Sequence, residues 1–75
     1  MQAIIWSKYN CAYCDQAKAL LNQNDIPYEE RKIGGGWAKE DLLAAVPNAR
    51  SVPQIFLNEE YVGGFIELKQ KLTQG

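Results

Sequence analysis

Histidine is missing from this chain, and cysteine occurs only twice in 75 residues. A tetrahedral zinc site wants four ligands of the Cys/His type, so one chain alone supplies only half of one. Charge of one sign is not in excess: eight Lys and Arg stand against nine Asp and Glu, for a net charge of −1. The two signs are interspersed, so no electrostatic footprint for nucleic acid is present. No apolar run approaches the ~20 residues needed to span a bilayer, so no membrane association is expected. The N-terminal stretch from Met1 to Trp6 is too short for a signal peptide and has no basic leading segment. The expectation is a cytoplasmic protein in a reducing compartment, where a close cysteine pair is catalytic or metal-binding rather than structural.

The chain is 47% hydrophobic and 23% charged, the balance of an ordinary soluble globule. Its length allows a single domain over residues 1–75 with a small core, near the lower limit of independent stability. A monomer is expected. The two cysteines lie together in Cys11-Ala12-Tyr13-Cys14. A disulfide there is a poor staple: closing a loop of about four residues contributes roughly 2 kcal/mol, against about 3 for fifteen. Redox chemistry is the leading reading. Half of a metal or cluster site shared between two chains, and simple packing of two small apolar side chains, stay open beside it.

Ala3-Ile4-Ile5-Trp6 suits a buried strand, and Ser7 to Asn10 reads as a loop. From Cys11 to Asn24, Cys14, Ala17, Leu20 and Leu21 recur at helical spacing, and Pro27 follows the end of that helix. Ile26 to Ile33 supplies a second strand, with Tyr28 and Ile33 inward. Gly34-Gly35-Gly36 is a plain loop, since no Gly-Lys-Ser/Thr follows to make it a phosphate cradle. A second helix is predicted over Trp37 to Ala45, with Trp37 and Leu42 toward the core. Gln54 to Leu57 is a third strand, in a hairpin with Tyr61-Val62, and Phe65, Leu68 and Leu72 mark a last helix. Arg31 reads as a solvated strand residue. The order is βαβαββα, an α/β class.

A thiolate, not a thiol, is the reactive form of cysteine. Cys11 at a helix start meets unpaired backbone N–H groups that favour negative charge, and Lys8 three residues earlier adds a positive one. Cys14, one turn further in, is the less exposed resolving thiol. The chemistry that follows is exchange through a mixed disulfide.

Lys8-x-x-Cys11-Ala12-Tyr13-Cys14, Ser51-Val52-Pro53-Gln54-Ile55-Phe56 and Gly63-Gly64-Phe65-Ile66-Glu67-Leu68 together resemble the glutaredoxins. The resemblance covers nearly the whole chain and implies a thioredoxin fold, a four-stranded mixed sheet flanked by three helices. It also implies reduction of protein disulfides and glutathione mixed disulfides, with glutathione as co-substrate and no tightly bound cofactor. Cys11 is then the nucleophile and Cys14 the resolving thiol. Tyr13 contacts glutathione, Lys8 holds its glycyl carboxylate with Arg50 in reach of the same group, and the Val52 backbone pairs with its cysteinyl part. Pro53 is implied to be cis and to face the active site. The γ-glutamyl end sits against Gly64, Phe65, Ile66 and Glu67, where helix N–H groups suit a carboxylate. Ribonucleotide reductase enters as a client by family analogy alone.

Three positions depart from the commonest family pattern. Ala12 replaces the proline between the cysteines, leaving an extra N–H near Cys11. Family members without that proline are the ones more often found holding an iron–sulfur cluster between two chains, which would make Cys11 its ligand. Ser51 stands for threonine, and Ile66 for a residue that could bind the γ-glutamyl end. A weaker hold on glutathione, and a thioredoxin-like role served by a flavoprotein reductase, are therefore alternatives.

Overall fold

The computed structural model describes residues 1–73. Its elements are β1 (Ala3–Lys8), α1 (Ala12–Gln23), β2 (Tyr28–Ile33), α2 (Lys39–Ala45), β3 (Gln54–Leu57), β4 (Glu60–Gly63) and α3 (Phe65–Thr73). The four strands form one sheet in the order β2-β1-β3-β4. β1 runs parallel to β2 and antiparallel to β3, and β3 runs antiparallel to β4. This is the thioredoxin-like arrangement of a mixed sheet with three helices.

Side chains of a strand point alternately to the two faces of its sheet, and β1 uses both. Ala3 and Ile5 enter a core with Ala17 and Leu21 of α1, Ile55 and Leu57 of β3, and Leu68 of α3. Trp6 enters a second core with Leu42 and Val46, against which Ile4, Ile33, Trp37, Val52 and Phe56 pack. β1 is therefore apolar on both faces, as a central strand must be. Tyr28 and Ile33 both point inward as expected, but to opposite faces: Tyr28 packs on the α1–α3 side and Ile33 on the α2 side.

The helix bounds follow local chemistry. α1 begins after Cys11, whose backbone is extended (φ −120°, ψ 103°) and whose sulfur accepts the Cys14 N–H, an N-cap. Its buried face is Cys14, Ala17 and Leu21, and Leu20, the fourth residue of the predicted stripe, is part-buried against the same core. α2 starts two residues later than the sequence pattern indicates. Trp37 is instead bridged to Ile33, and Asp41 accepts the Ala38 N–H at 2.9 Å to open the helix. β1 extends two residues beyond the predicted strand, through Ser7 and Lys8, because their backbones pair with Lys32 and Ile33 of β2. Between β3 and β4, Asn58 and Glu59 both have positive φ (49° and 69°), the form of the two-residue hairpin turn that matches strand twist. Asn58 further ties the turn to the N-terminus: its N–H donates to the Gln2 carbonyl at 2.8 Å, and its Oδ1 accepts the Gln2 N–H at 3.0 Å.

Leu21 is fully buried between α1 and the sheet. Leu21→Ala is expected to lower unfolding free energy by about 2–5 kcal/mol, the usual cost of a large-to-small core change. Urea denaturation followed by circular dichroism measures this; a loss below about 1 kcal/mol would contradict the packing described.

Candidate active site

The end of β1 leads through three residues, Tyr9, Asn10 and Cys11, to the N-terminus of α1. Cys11 and Cys14 are joined there in a disulfide, with Cα atoms 5.2 Å apart. Cys11 is part-exposed and Cys14 is buried, 1% exposed. A molecule arriving from solvent therefore meets Cys11 first. The Cys14 N–H lies 3.1 Å from the Cys11 sulfur. A donor in that position stabilises charge on sulfur more than it stabilises a neutral thiol, and the positive end of the helix adds to it. Helix geometry thus serves as the activating group that histidine cannot supply in this chain.

Across from α1, the Val52 carbonyl oxygen is 3.8 Å from the Cys11 sulfur. The Val52–Pro53 peptide bond is cis, as the family resemblance implies. Side chains brace this segment: the buried Gln54 donates from Nε2 to the Ser51 carbonyl at 2.8 Å and accepts the Tyr61 hydroxyl on Oε1. Gln54 thereby ties the two ends of the Pro53 turn together from below.

A cavity of about 450 Å³ opens beside this segment. Tyr13, Val52, Pro53, Gly64, Phe65, Ile66 and Glu67 all line it, so seven of the residues singled out in the sequence converge on one hollow. Tyr13 is 58% exposed with its ring 6.0 Å from that of Phe65, which bridges α1 to α3 over the opening. Gly64 precedes α3, and its N–H donates to Glu67 Oε1 at 2.8 Å. Lys8 and Arg50 lie elsewhere. They border a separate cavity of about 210 Å³ on the α2 side, which shares Ser51 and Val52 with the first.

The glutaredoxin family model matches residues 3–62. This chain belongs to the glutaredoxin family. It is 36% identical over 64 residues to glutaredoxin 3 of Escherichia coli (strain K12), covering 85% of this chain and 77% of that protein. Among solved structures, glutaredoxin 1 from Francisella tularensis, complexed with cacodylate, superposes with a TM-score of 0.81 at 28% identity. That match covers 95% of this chain and 91% of the other. The buckwheat glutaredoxin–glutathione complex superposes with a TM-score of 0.81 at 25% identity, over 93% of this chain and 66% of the other. Thiol–disulfide oxidoreductase chemistry is what this glutaredoxin-family chain inherits, and the Cys11–Cys14 pair is the group positioned to perform it.

Two groups of residues around the site were not singled out by sequence pattern. Ser7 is fully buried, and its hydroxyl donates to Glu30 Oε2 at 2.7 Å. Lys18, one turn after Cys14, donates to the same oxygen at 2.9 Å and lies 3.5 Å from Asp15. The sequence pattern carries no signal for it, because Ser7 reads as a loop residue until β2 pairs with β1. Second, Arg31 is not simply solvated. Its guanidinium lies over the rings of Trp37 (4.7 Å) and Trp6 (5.2 Å), whose own centroids are 5.3 Å apart edge to face. β1–β2 pairing sets Trp6 opposite Arg31, and the Ile33 bridge brings in Trp37, so the stack needs tertiary register to appear.

The hydrogen bond from Ser7 holds the Glu30 carboxyl below its ordinary value of 4.5, burial opposes this, and the Lys18 ammonium adds to the lowering. Lys18 is correspondingly raised above 10.5, first by its bond to Glu30. A depressed carboxyl binds fewer protons folded than unfolded, so its stabilising contribution is present above the unfolded pKa and disappears as pH falls through the folded one. Stability is expected to drop on acidification below about pH 4.5. Ser7→Ala removes the largest lowering cause, so its difference from the parent should be larger at pH 6 than at pH 3. Urea midpoints across that range decide the matter; a Ser7→Ala difference that is constant with pH would contradict the link.

Proposed function

We propose that this chain is a glutathione-dependent oxidoreductase that reduces protein disulfides and glutathione mixed disulfides in the cytoplasm, as a monomer. The observation that supports the reading most directly is the seat of Cys11: part-exposed, at the helix N-terminus, with its sulfur receiving the Cys14 N–H and flanked by the Val52 carbonyl.

In the reduced protein, the Cys11 thiolate attacks one sulfur of a client disulfide. A Cys11–client disulfide forms, and the other client sulfur leaves as a thiolate. Cys14 then attacks the Cys11 sulfur, closing the Cys11–Cys14 disulfide and releasing the second client thiol. One glutathione thiolate attacks that disulfide, giving Cys11 joined to glutathione and freeing Cys14. A second glutathione attacks the glutathionyl sulfur, so glutathione disulfide leaves and the Cys11 thiolate is restored. Two electrons pass from two glutathione molecules to one client disulfide.

The Val52 backbone, with its carbonyl beside the Cys11 sulfur, suits strand-like pairing with the cysteinyl part of the tripeptide. Tyr13 and Phe65 offer apolar walls, the start of α3 at Gly64 to Glu67 meets the γ-glutamyl end, and Lys8 with Arg50 meets the glycyl carboxylate. Ribonucleotide reductase is included as a client class by family analogy alone.

Cys11→Ser is expected to abolish turnover. Cys14→Ser should keep reduction of a small glutathione mixed disulfide while losing reduction of protein disulfides that need both thiols. A glutathione-reductase-coupled assay on the parent and both variants measures this. Absence of turnover in the folded parent protein would reject the glutathione reading and leave a different reductant.

A further inference from the structure

The two cavities beside the disulfide are opposite in charge. On the α2 side, the 210 Å³ cavity is bordered by Lys8, Lys39 and Arg50 over an apolar floor that includes Leu42 and Val52. No acidic side chain borders it among the described residues. On the α3 side, Glu67 is the only charged residue lining the 450 Å³ cavity, again among the described residues. The two hollows meet at Ser51 and Val52, and Val52 is the residue whose carbonyl lies 3.8 Å from the Cys11 sulfur. Charge thus reverses across the reactive sulfur.

The Glu67 carboxylate is held at this place by its bond to the Gly64 N–H. The positive helix end that would attract an anion is thereby partly answered by the protein's own carboxylate. Ile66 beside it is 52% exposed and offers no polar group. The α3 flank consequently favours a cation and the α2 flank an anion.

We propose that this polarity selects protein clients by charge order: a basic residue on the N-terminal side of the client cysteine and an acidic residue on its C-terminal side. The direction rests on the glutathione orientation proposed above, in which the γ-glutamyl end lies toward α3 and the glycyl end toward Lys8 and Arg50. Lys39 is then a specificity-determining residue that the family motifs do not single out, and Glu67 is its counterpart on the other flank. Opposed charges at both ends act together. Each exposed pair is weak, but the reversed order replaces two attractions with two repulsions.

The test uses two peptides of identical composition, Lys-Ala-Cys-Ala-Glu and Glu-Ala-Cys-Ala-Lys, each joined through its cysteine to thionitrobenzoate. Reduced protein is mixed with each under single-turnover conditions without glutathione. The Cys11 thiolate attacks the peptide sulfur and coloured thionitrobenzoate leaves. Cys14 then displaces the peptide thiol and closes the Cys11–Cys14 disulfide. The Lys-first peptide is expected to react about tenfold faster at low salt, and the ratio should shrink as ionic strength rises. Glu67→Gln keeps an acceptor for the Gly64 N–H, and Lys39 is exposed, so Glu67→Gln and Lys39→Gln test charge without dismantling the fold. Glu67→Gln should cut the ratio to about threefold, Lys39→Gln should lower it by a smaller factor because Lys8 and Arg50 remain on that flank, and the double variant should fall below either single one. Equal rates in the parent, a preference for the Glu-first peptide, or a preference left unchanged by the double substitution would overturn the inference. Glutathione turnover is assayed separately, so a protein active with glutathione but blind to charge order rejects this inference alone. Release of no thionitrobenzoate from either peptide rejects the client reading itself.

Discussion

The hydrogen bond from the Cys14 N–H to the Cys11 sulfur organises both the chemistry and the local fold. It makes Cys11 the cap of α1, so the residue that starts the helix is also the one that meets solvent. A cap normally uses an oxygen side chain, and sulfur in that role places the helix's unpaired N–H groups against a nucleophile. Cys14 is then buried by helix periodicity rather than by a special arrangement. It falls on the same face as Ala17 and Leu21, one turn in from Cys11. Accessibility of one sulfur and protection of the other are consequences of a single capping interaction.

That cap must be held against the sheet for the site to exist. β1 does so from one side, because it is paired on both edges and buried on both faces. The Ser51–Gln54 segment does so from the other, bringing the Val52 carbonyl to the sulfur while Gln54 and Tyr61 brace the turn. Neither support belongs to α1, yet both determine what can approach Cys11. The polar knot of Ser7, Glu30 and Lys18 lies on the same side of the sheet and links β1, β2 and α1 just behind the first two turns of the helix. Such a knot in a small domain joins three elements where apolar burial alone is modest.

The same framework explains how one small domain separates two kinds of recognition. Val52 belongs to both cavities and its carbonyl flanks the Cys11 sulfur, so the approach to that sulfur has hollows of opposite charge on its two sides. The backbone contact is indifferent to side chains, whereas the flanking charges are not. The reactive pair, Cys11 and Cys14, is thus separate from the charged side chains Lys39 and Glu67 that border the two hollows.

Much of this was legible in the sequence, for reasons that can be located. The Cys14–Ala17–Leu21 stripe, the β-branched and aromatic residues of β1 and the glycine-bounded hairpin are local signals, each set by the period of its own element. The Cys-x-x-Cys spacing likewise carries its chemistry within one turn of helix. Element ends were less legible. Ser7 and Lys8 look like loop residues until β2 pairs with them, and Trp37 looks helical until Ile33 bridges to it. Arg31 over two tryptophans, Ser7 against Glu30, and the division of Lys8 and Arg50 from the Glu67 cavity are absent from any local pattern. Most of these partners lie far apart in the chain, and they meet through strand register and the Ile33–Trp37 bridge. Local periodicity and spacing determined the elements and the reactive pair; which charges face one another across that pair was decided by the sheet that brings distant segments together.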